Sequence, residues 1–241
     1  MQSRRPYPNY SGITWTDATG FSRYNALLTK LQRRLTRGLD LLASYTLSKT
    51  VDNTQDGVPN QDPRNRDADE GLASFDRRHR FVLSASYQLP FAQPALREWL
   101  VSTIFTATSG MPVTAVLNGD RANVGTTNAQ RPNVSGDPNA NAPHTPDQWF
   151  DTSVFSLPAP LAYGNAGRSI ITGPPFQAVN VAVSRRFTFG ARAIDFRVEI
   201  FNLLNHANFL LPNNQADSAL FGKIFQAADP RQTQFGLKFY F

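Results

Sequence analysis

Apolar and polar residues alternate over much of this chain, most clearly at its end. From Arg231 to Phe241 (RQTQFGLKFYF), Phe235, Leu237, Phe239 and Phe241 interleave with Gln234, Gly236, Lys238 and Tyr240. Side chains of a strand point to opposite faces in turn, so this segment predicts a strand with one greasy and one mostly polar face. A terminal apolar face gains little in water. It gains a great deal where hydrocarbon is the solvent outside a barrel.

The same counting predicts six earlier strands. The first covers about Ser22 to Leu35, with Leu27 and Leu31 opposed to Ala26, Lys30, Gln32 and Arg34, and with Leu28 blurring the contrast. The second sets Leu39, Leu41, Ala43, Tyr45 and Leu47 against Asp40, Leu42, Ser44, Thr46 and Ser48. Thr36-Arg37-Gly38 joins the two as a tight hairpin, with Gly38 suited to the left-handed conformation. The third covers about Arg80 to Leu89, with Phe81, Leu83, Ala85 and Tyr87 on one face and Val82, Ser84, Ser86 and Gln88 on the other. A Pro90 to Pro94 connection leads to a fourth, about Trp99 to Thr108, of weaker contrast. The fifth, about Ala178 to Phe187, turns at Gly190 into the sixth, about Arg192 to Phe201, where Ile194, Phe196, Val198 and Ile200 oppose Asp195, Arg197 and Glu199.

Connections alternate between short and long. The long ones, 49–79, 109–177 and 202–230, are rich in Asn, Asp, Pro and Gly. Short periplasmic turns and longer outer loops are the habit of bacterial outer-membrane barrels. Asp195, Arg197 and Glu199 would be costly in a dry sandwich core but are at home facing a wet lumen, paired with neighbouring strands. Strands of about ten residues cross the hydrocarbon at a tilt. Tyr45, Tyr87, Trp99 and Tyr240 fall where an interfacial aromatic girdle would form. The fold class expected is all-β: an antiparallel, up-and-down transmembrane β-barrel segment.

Composition agrees. No apolar run reaches the about 18 residues a spanning helix requires. The chain has 18 Phe, 17 Pro and no Cys, which excludes disulfides and thiolate metal sites. Its net charge of +6 is spread over pairs such as Arg4-Arg5, Arg33-Arg34 and Arg185-Arg186 near strand ends, not gathered into a nucleic-acid footprint. The start, MQSRRPYPNYSG, has no apolar stretch of the signal-peptide kind, and residues 1–19 are expected to be the end of an outer loop.

Candidate chemistry is sparse. His79, His144 and His206 have no paired nucleophile and orienting acid, and alternation puts His79 and Ser84 on opposite faces. No catalytic, cofactor or metal residues are assigned, and the chain is expected not to be an enzyme. Six acids (Asp52, Asp56, Asp62, Asp67, Asp69 and Glu70) share one loop, but without calcium-loop spacing and interrupted by Pro63, Arg64 and Arg66, which favours a solvated loop. Asp76, Arg77, Arg78 and Arg80 stand where the chain re-enters the membrane. They are expected to form an ion-pair cluster ordering the loop base, with binding of anionic lipopolysaccharide as the functional alternative.

Several segments together resemble the C-terminal part of TonB-dependent outer-membrane receptors of the Oar-like group. They are Tyr24-Asn25-Ala26-Leu27 with Arg33-Arg34, the run from Gly38 to Lys49 (GLDLLASYTLSK), and Phe75 to Phe81 (FDRRHRF) leading into SASYQLPF. Ser109-Gly110-Met111-Pro112, the run Glu199 to His206 (EIFNLLNH) and the ending FGLKFYF complete the set. The resemblance implies about seven or eight strands of a barrel of about 22 around a plugged lumen. It implies that plug, TonB-contacting segment and signal peptide belong to missing upstream sequence, that the chain is a fragment, and that it is the wall for energised passage of a bulky solute. The terminal strand would be read by the barrel-assembly machinery, the outer face would meet outer-membrane lipid, and TonB would act only through the absent plug. Met1 to Thr19, with Ile13 and Trp15, could supply an eighth strand but reads better as the tail of an outer loop.

Two rivals remain open on sequence. One is a small standalone eight-strand barrel serving as anchor or adhesion surface. The other is a soluble secreted β-sandwich binding carbohydrate through Gln148-Trp149-Phe150.

Overall fold

The computed structural model describes residues 7–10, 18–36, 38–54, 60–62, 64–91, 93, 97–125 and 129–241. Among them the strands are β1 (Ser22–Thr36), β2 (Leu39–Asp52), β3 (Gly71–Leu72), β4 (His79–Gln88), β5 (Leu100–Thr108), β6 (Pro112–Val113), β7 (Asn133–Val134), β8 (Phe155–Ser156), β9 (Ile171–Thr172), β10 (Phe176–Phe189), β11 (Arg192–Phe201) and β12 (Gln232–Tyr240). The seven long ones form one antiparallel sheet in the spatial order β1-β2-β4-β5-β10-β11-β12, each pairing with the long strand next to it in the chain. This is the up-and-down meander expected.

Register explains why alternation was so legible. One row across the sheet reads Leu39, Tyr87, Val101, Val183, Val198 and Phe235. The neighbouring row, one residue along, reads Asp40, Ser86, Ser102, Ala182, Glu199 and Gln234. A slip of one residue on any strand would exchange its two faces. The hairpins hold that register: Gly38 and Gly190 both have positive φ, 81° and 60°. Arg37 and Pro94, named in the expected turns, lie outside the described residues.

The strands of expected length are β4, β5, β11 and β12, at 9 or 10 residues. Three are longer: β1 has 15 residues, and β2 and β10 have 14 each. β2 runs past Ser48 to Asp52, so the expected loop at Lys49 begins later; Lys49 and Val51 are still paired, to Asn25 and Arg23. The extension was hidden because strand above the hydrocarbon has no need to keep one face apolar. β10 likewise overruns 178–187, and its upper end at Phe176 takes Gln177 out of the expected loop.

No ladder joins β1 to β12 among the described residues, so the sheet is an open wall with two free edges. The eighth sheet member is the two-residue β3, clipped to β2 at Val51 and Asp52, not the N-terminal segment. Ile13 and Trp15 lie outside the described residues.

The packed apolar core is not in the wall. Val113, Ala115, Trp149, Phe150, Ile171 and Ile224 form a buried cluster in the long connections, joined by Phe155, Phe209 and Phe221. Two connections zip together through Val116 N–H to Asn214 O (2.9 Å), Trp149 N–H to Gly222 O (2.8 Å) and Ile224 N–H to Pro146 O (2.7 Å). The outer loops are thus a folded cap over one end of the sheet. Buried backbone polar groups require such partners, which is why a long connection with apolar residues becomes ordered.

Candidate functional site

The candidate site is the wall itself, its two faces and the cap at its upper end. On the outward face, Phe235, Leu237 and Phe239 are 72%, 62% and 55% exposed, and Phe241 at the chain end is 97% exposed. Such side chains carried on an alternating strand present hydrocarbon to hydrocarbon. Aromatic groups border the band. Towards the short turns, Trp99 meets Phe187 and Phe196 edge-on at 6.5 and 6.1 Å, with the Arg185 guanidinium over Phe187 at 4.6 Å. At the other margin the Tyr45 hydroxyl and His79 Nδ1 share a hydrogen bond of 2.8 Å.

Tyr240 departs from the expected girdle. It lies on the inward face, where its hydroxyl donates to Asp195 Oδ2 at 2.9 Å and its ring lies under the Arg186 guanidinium at 4.5 Å. Even-numbered β12 residues share the Asp195–Arg197–Glu199 face, and counting by twos from Phe239 already excludes Tyr240 from the lipid side. The inward charges do pair. Asp195 meets Arg186 of the adjacent strand at 3.3 Å, whereas Arg197 meets Glu199 on its own strand at 2.6 Å. Ser86 and Ser102 hydroxyls bond across the same face at 3.0 Å.

At the loop base, no ion pair joins Asp76 to Arg77, Arg78 or Arg80 among the described residues. Order comes instead from side chains gripping backbone. Asp76 Oδ1, on a residue 4% exposed, accepts the Thr50 N–H at 2.7 Å. Arg77 Nη1 donates to the Ser109 carbonyl at 2.9 Å, and the His79 N–H donates to Ser109 Oγ at 3.0 Å. Burial lowers the Arg77 guanidinium pKa from its ordinary value. The FDRRHRF and SGMP segments, far apart in sequence, are therefore one contact. The EIFNLLNH run is a turn of the same economy: Asn202 Oδ1 accepts His206 N–H at 3.0 Å, and Asn205 Oδ1 accepts Arg231 N–H at 3.0 Å.

The acidic loop is not uniformly solvated. Asp69 and Asp52 are buried against Arg131 and Arg168 respectively, with all four side chains at most 10% exposed. Arg168 Nε also donates to the Asp69 carbonyl at 2.8 Å, and Arg131 Nε to the Ala166 carbonyl at 2.7 Å. Both arginines thus tie the 109–175 connection to the 53–78 connection, and Arg168 ties it to β2 as well, through Asp52. Sequence reading passed over both, because a single Arg in QRPN or GRSI looks like a solvated loop residue. Of the other acids, Asp62 meets Arg64 at 3.3 Å, Glu70 meets Arg23 at 2.8 Å, and Asp56 lies outside the described residues.

The proposed sugar-binding aromatics are packed inside the cap. Trp149 is 7% and Phe150 1% exposed, Trp149 Nε1 donates to the Thr172 carbonyl at 3.0 Å, and Phe150 meets Phe221 edge-on at 5.0 Å. They are core residues, which removes the feature on which the soluble sandwich rested. His79 and Ser84 lie on opposite faces of β4, and His144 packs against Trp149 at 5.0 Å. No group of three or more His, Cys, Asp or Glu able to hold a metal occurs among the described residues.

Close backbone approach makes Gly110 sensitive. A methyl group there would overlap the Gly173 carbonyl, where no flexible side chain can yield. Gly110→Ala is expected to loosen the cap by over about 1 kcal/mol while leaving the wall intact. Limited proteolysis of the loops, beside the gel mobility of the unheated protein, measures the two separately.

The family model for the outer membrane β-barrel domain matches residues 1–234. No curated protein and no solved structure matches the chain.

Proposed function

From a chain that belongs to the outer membrane β-barrel domain family, and so sits in the bacterial outer membrane, we propose a role in transport. The chain is the C-terminal wall and outer loops of a TonB-dependent, Oar-like receptor that passes a bulky solute by energised transport. It does no covalent chemistry. Plug, TonB-contacting segment and the rest of the barrel come from protein outside these 241 residues.

The observation that carries this reading is the open sheet with a partly apolar inner face. Tyr24, Leu28 and Ile104 point inward and are 60%, 71% and 48% exposed, beside the charged Asp195, Arg197 and Glu199. A water-filled pore favours a polar lining, whereas large apolar side chains on the inside favour a lumen filled by packed protein. Open strand edges are not tolerated in lipid, which favours further strands on both sides of this wall over a standalone small barrel.

The test is assembly and energy coupling together. Expressed without other barrel segments, the chain is expected to aggregate or oligomerise. Expressed within its parent reading frame, it is expected to support solute uptake that stops when the TonB system is deleted. A discrete, heat-modifiable monomer recovered from micelles, or uptake indifferent to TonB, overturns the reading.

A further inference from the structure

The run from Asp76 to Arg80 divides across the wall, and the division creates a site. Arg77 and Arg80 border an inward groove with Tyr24, Leu28 and Thr46. Arg78 turns to a different cavity, of about 670 Å³, with Lys49, Val51, Glu70, Leu72 and Pro112 among its walls. Lys49 and Val51 share the face of Leu47, Tyr45 and Leu41, the lipid face, by the alternation of β2. This cavity therefore opens at the outer surface of the barrel.

Its height is also defined. Leu47 is paired with His79, the margin of the aromatic border, and Lys49 is two residues further up the same strand, about 7 Å. That is where headgroups of the outer leaflet meet the wall. Two features then point to the occupant. Val51, Leu72 and Pro112 supply apolar wall continuous with the lipid face. Lys49 and Arg78 supply positive charge, and neither makes an ion pair among the described residues. Two acids line the same cavity: Glu70, which pairs with Arg23 at 2.8 Å, and Asp76, whose Oδ1 accepts the Thr50 N–H at 2.7 Å. Two cations that make no ion pair among the described residues, set above a hydrocarbon-facing band, match an anionic group carried on acyl chains.

We propose that Lys49 and Arg78 bind the phosphate of a phosphorylated glycolipid of the outer leaflet, with its acyl chains lying along the Leu47/Phe81 face. This rests on the outer-membrane location and not on the transport reading, so either can fail alone. Arg77 and Arg80, which sequence grouped with Arg78, take no part.

The experiment uses protein extracted from outer membranes as assembled there, exchanged into neutral phosphatidylcholine nanodiscs, with binding of bisphosphorylated lipid A followed by native mass spectrometry. Saturable binding is expected. Lys49→Ala with Arg78→Ala should weaken it about 25-fold, a factor of about five for each cation removed. Lys49→Arg with Arg78→Lys should retain it, and Arg80→Ala should leave it within about twofold. Four results would overturn the proposal. They are unchanged binding in the double alanine variant, equal loss in the charge-keeping variant, equal binding of dephosphorylated lipid A, and full displacement by millimolar inorganic phosphate, which would make the site a free-phosphate site.

Discussion

Leu83→Arg is expected to prevent this protein from accumulating folded in the outer membrane, while Ser84→Arg, one residue along, is expected to be tolerated. Leu83 is central in β4 and lies between Ala43 and Phe105 on the outward face. An arginine at the middle of the lipid face of a barrel costs about 2–4 kcal/mol. Ser84 faces inward between Leu42 and Ile104, on the side that carries Arg80 and Arg186. There a guanidinium meets the inner face of the barrel instead of hydrocarbon. With the chain expressed within its parent reading frame, recovery of heat-modifiable protein from outer membranes compares the two. Equal recovery would mean that hydrocarbon is not the medium outside Leu83.

Arg168→Ala is expected to release the cap from the wall. The substitution leaves the Asp52 carboxylate buried with its cation gone, and strips a donor from the carbonyls of Asp69, Asp52 and Gly71. Breaking a buried pair from one side typically costs about 3–5 kcal/mol. Little of that falls on the wall, whose strand ladders do not involve residue 168. Hydrogen exchange should rise across residues 53–78 and 109–175 while β4, β5 and β11 stay protected. A combined Arg168→Met, Asp52→Leu variant should do less damage, since it leaves no orphaned charge. If the single and double variants open the cap equally, the pair is not what fastens it.

These outcomes bear on how much was legible in the chain before it folds. The wall could be read because lipid imposes a rule on every second residue: Leu39, Phe81, Ile194 and Phe235 obey it, and the registers put them on one face. The reading weakened wherever that rule lapsed. Lys49 to Asp52 are strand, yet they stand above the hydrocarbon and look like loop. Tyr240 looked like a girdle residue by type, but its parity sends it inward to Asp195. The Asp76 group looked like an ion-pair cluster by composition, while its carboxylate and guanidinium found backbone partners 26 and 32 residues away.

By itself the sequence determined the class of the wall, its meander order and its two faces, because a period of two is a local property that needs no partner to be visible. Tertiary structure alone decided that the loops fold into a cap around Phe150, that Arg131 and Arg168 pin it to Asp69 and Asp52, and that Arg78 lines one cavity while Arg77 and Arg80 line another. These contacts join residues that are mostly tens of positions apart through irregular backbone. No periodicity records which cavity each of two neighbouring arginines will line; only the path of the chain around them does.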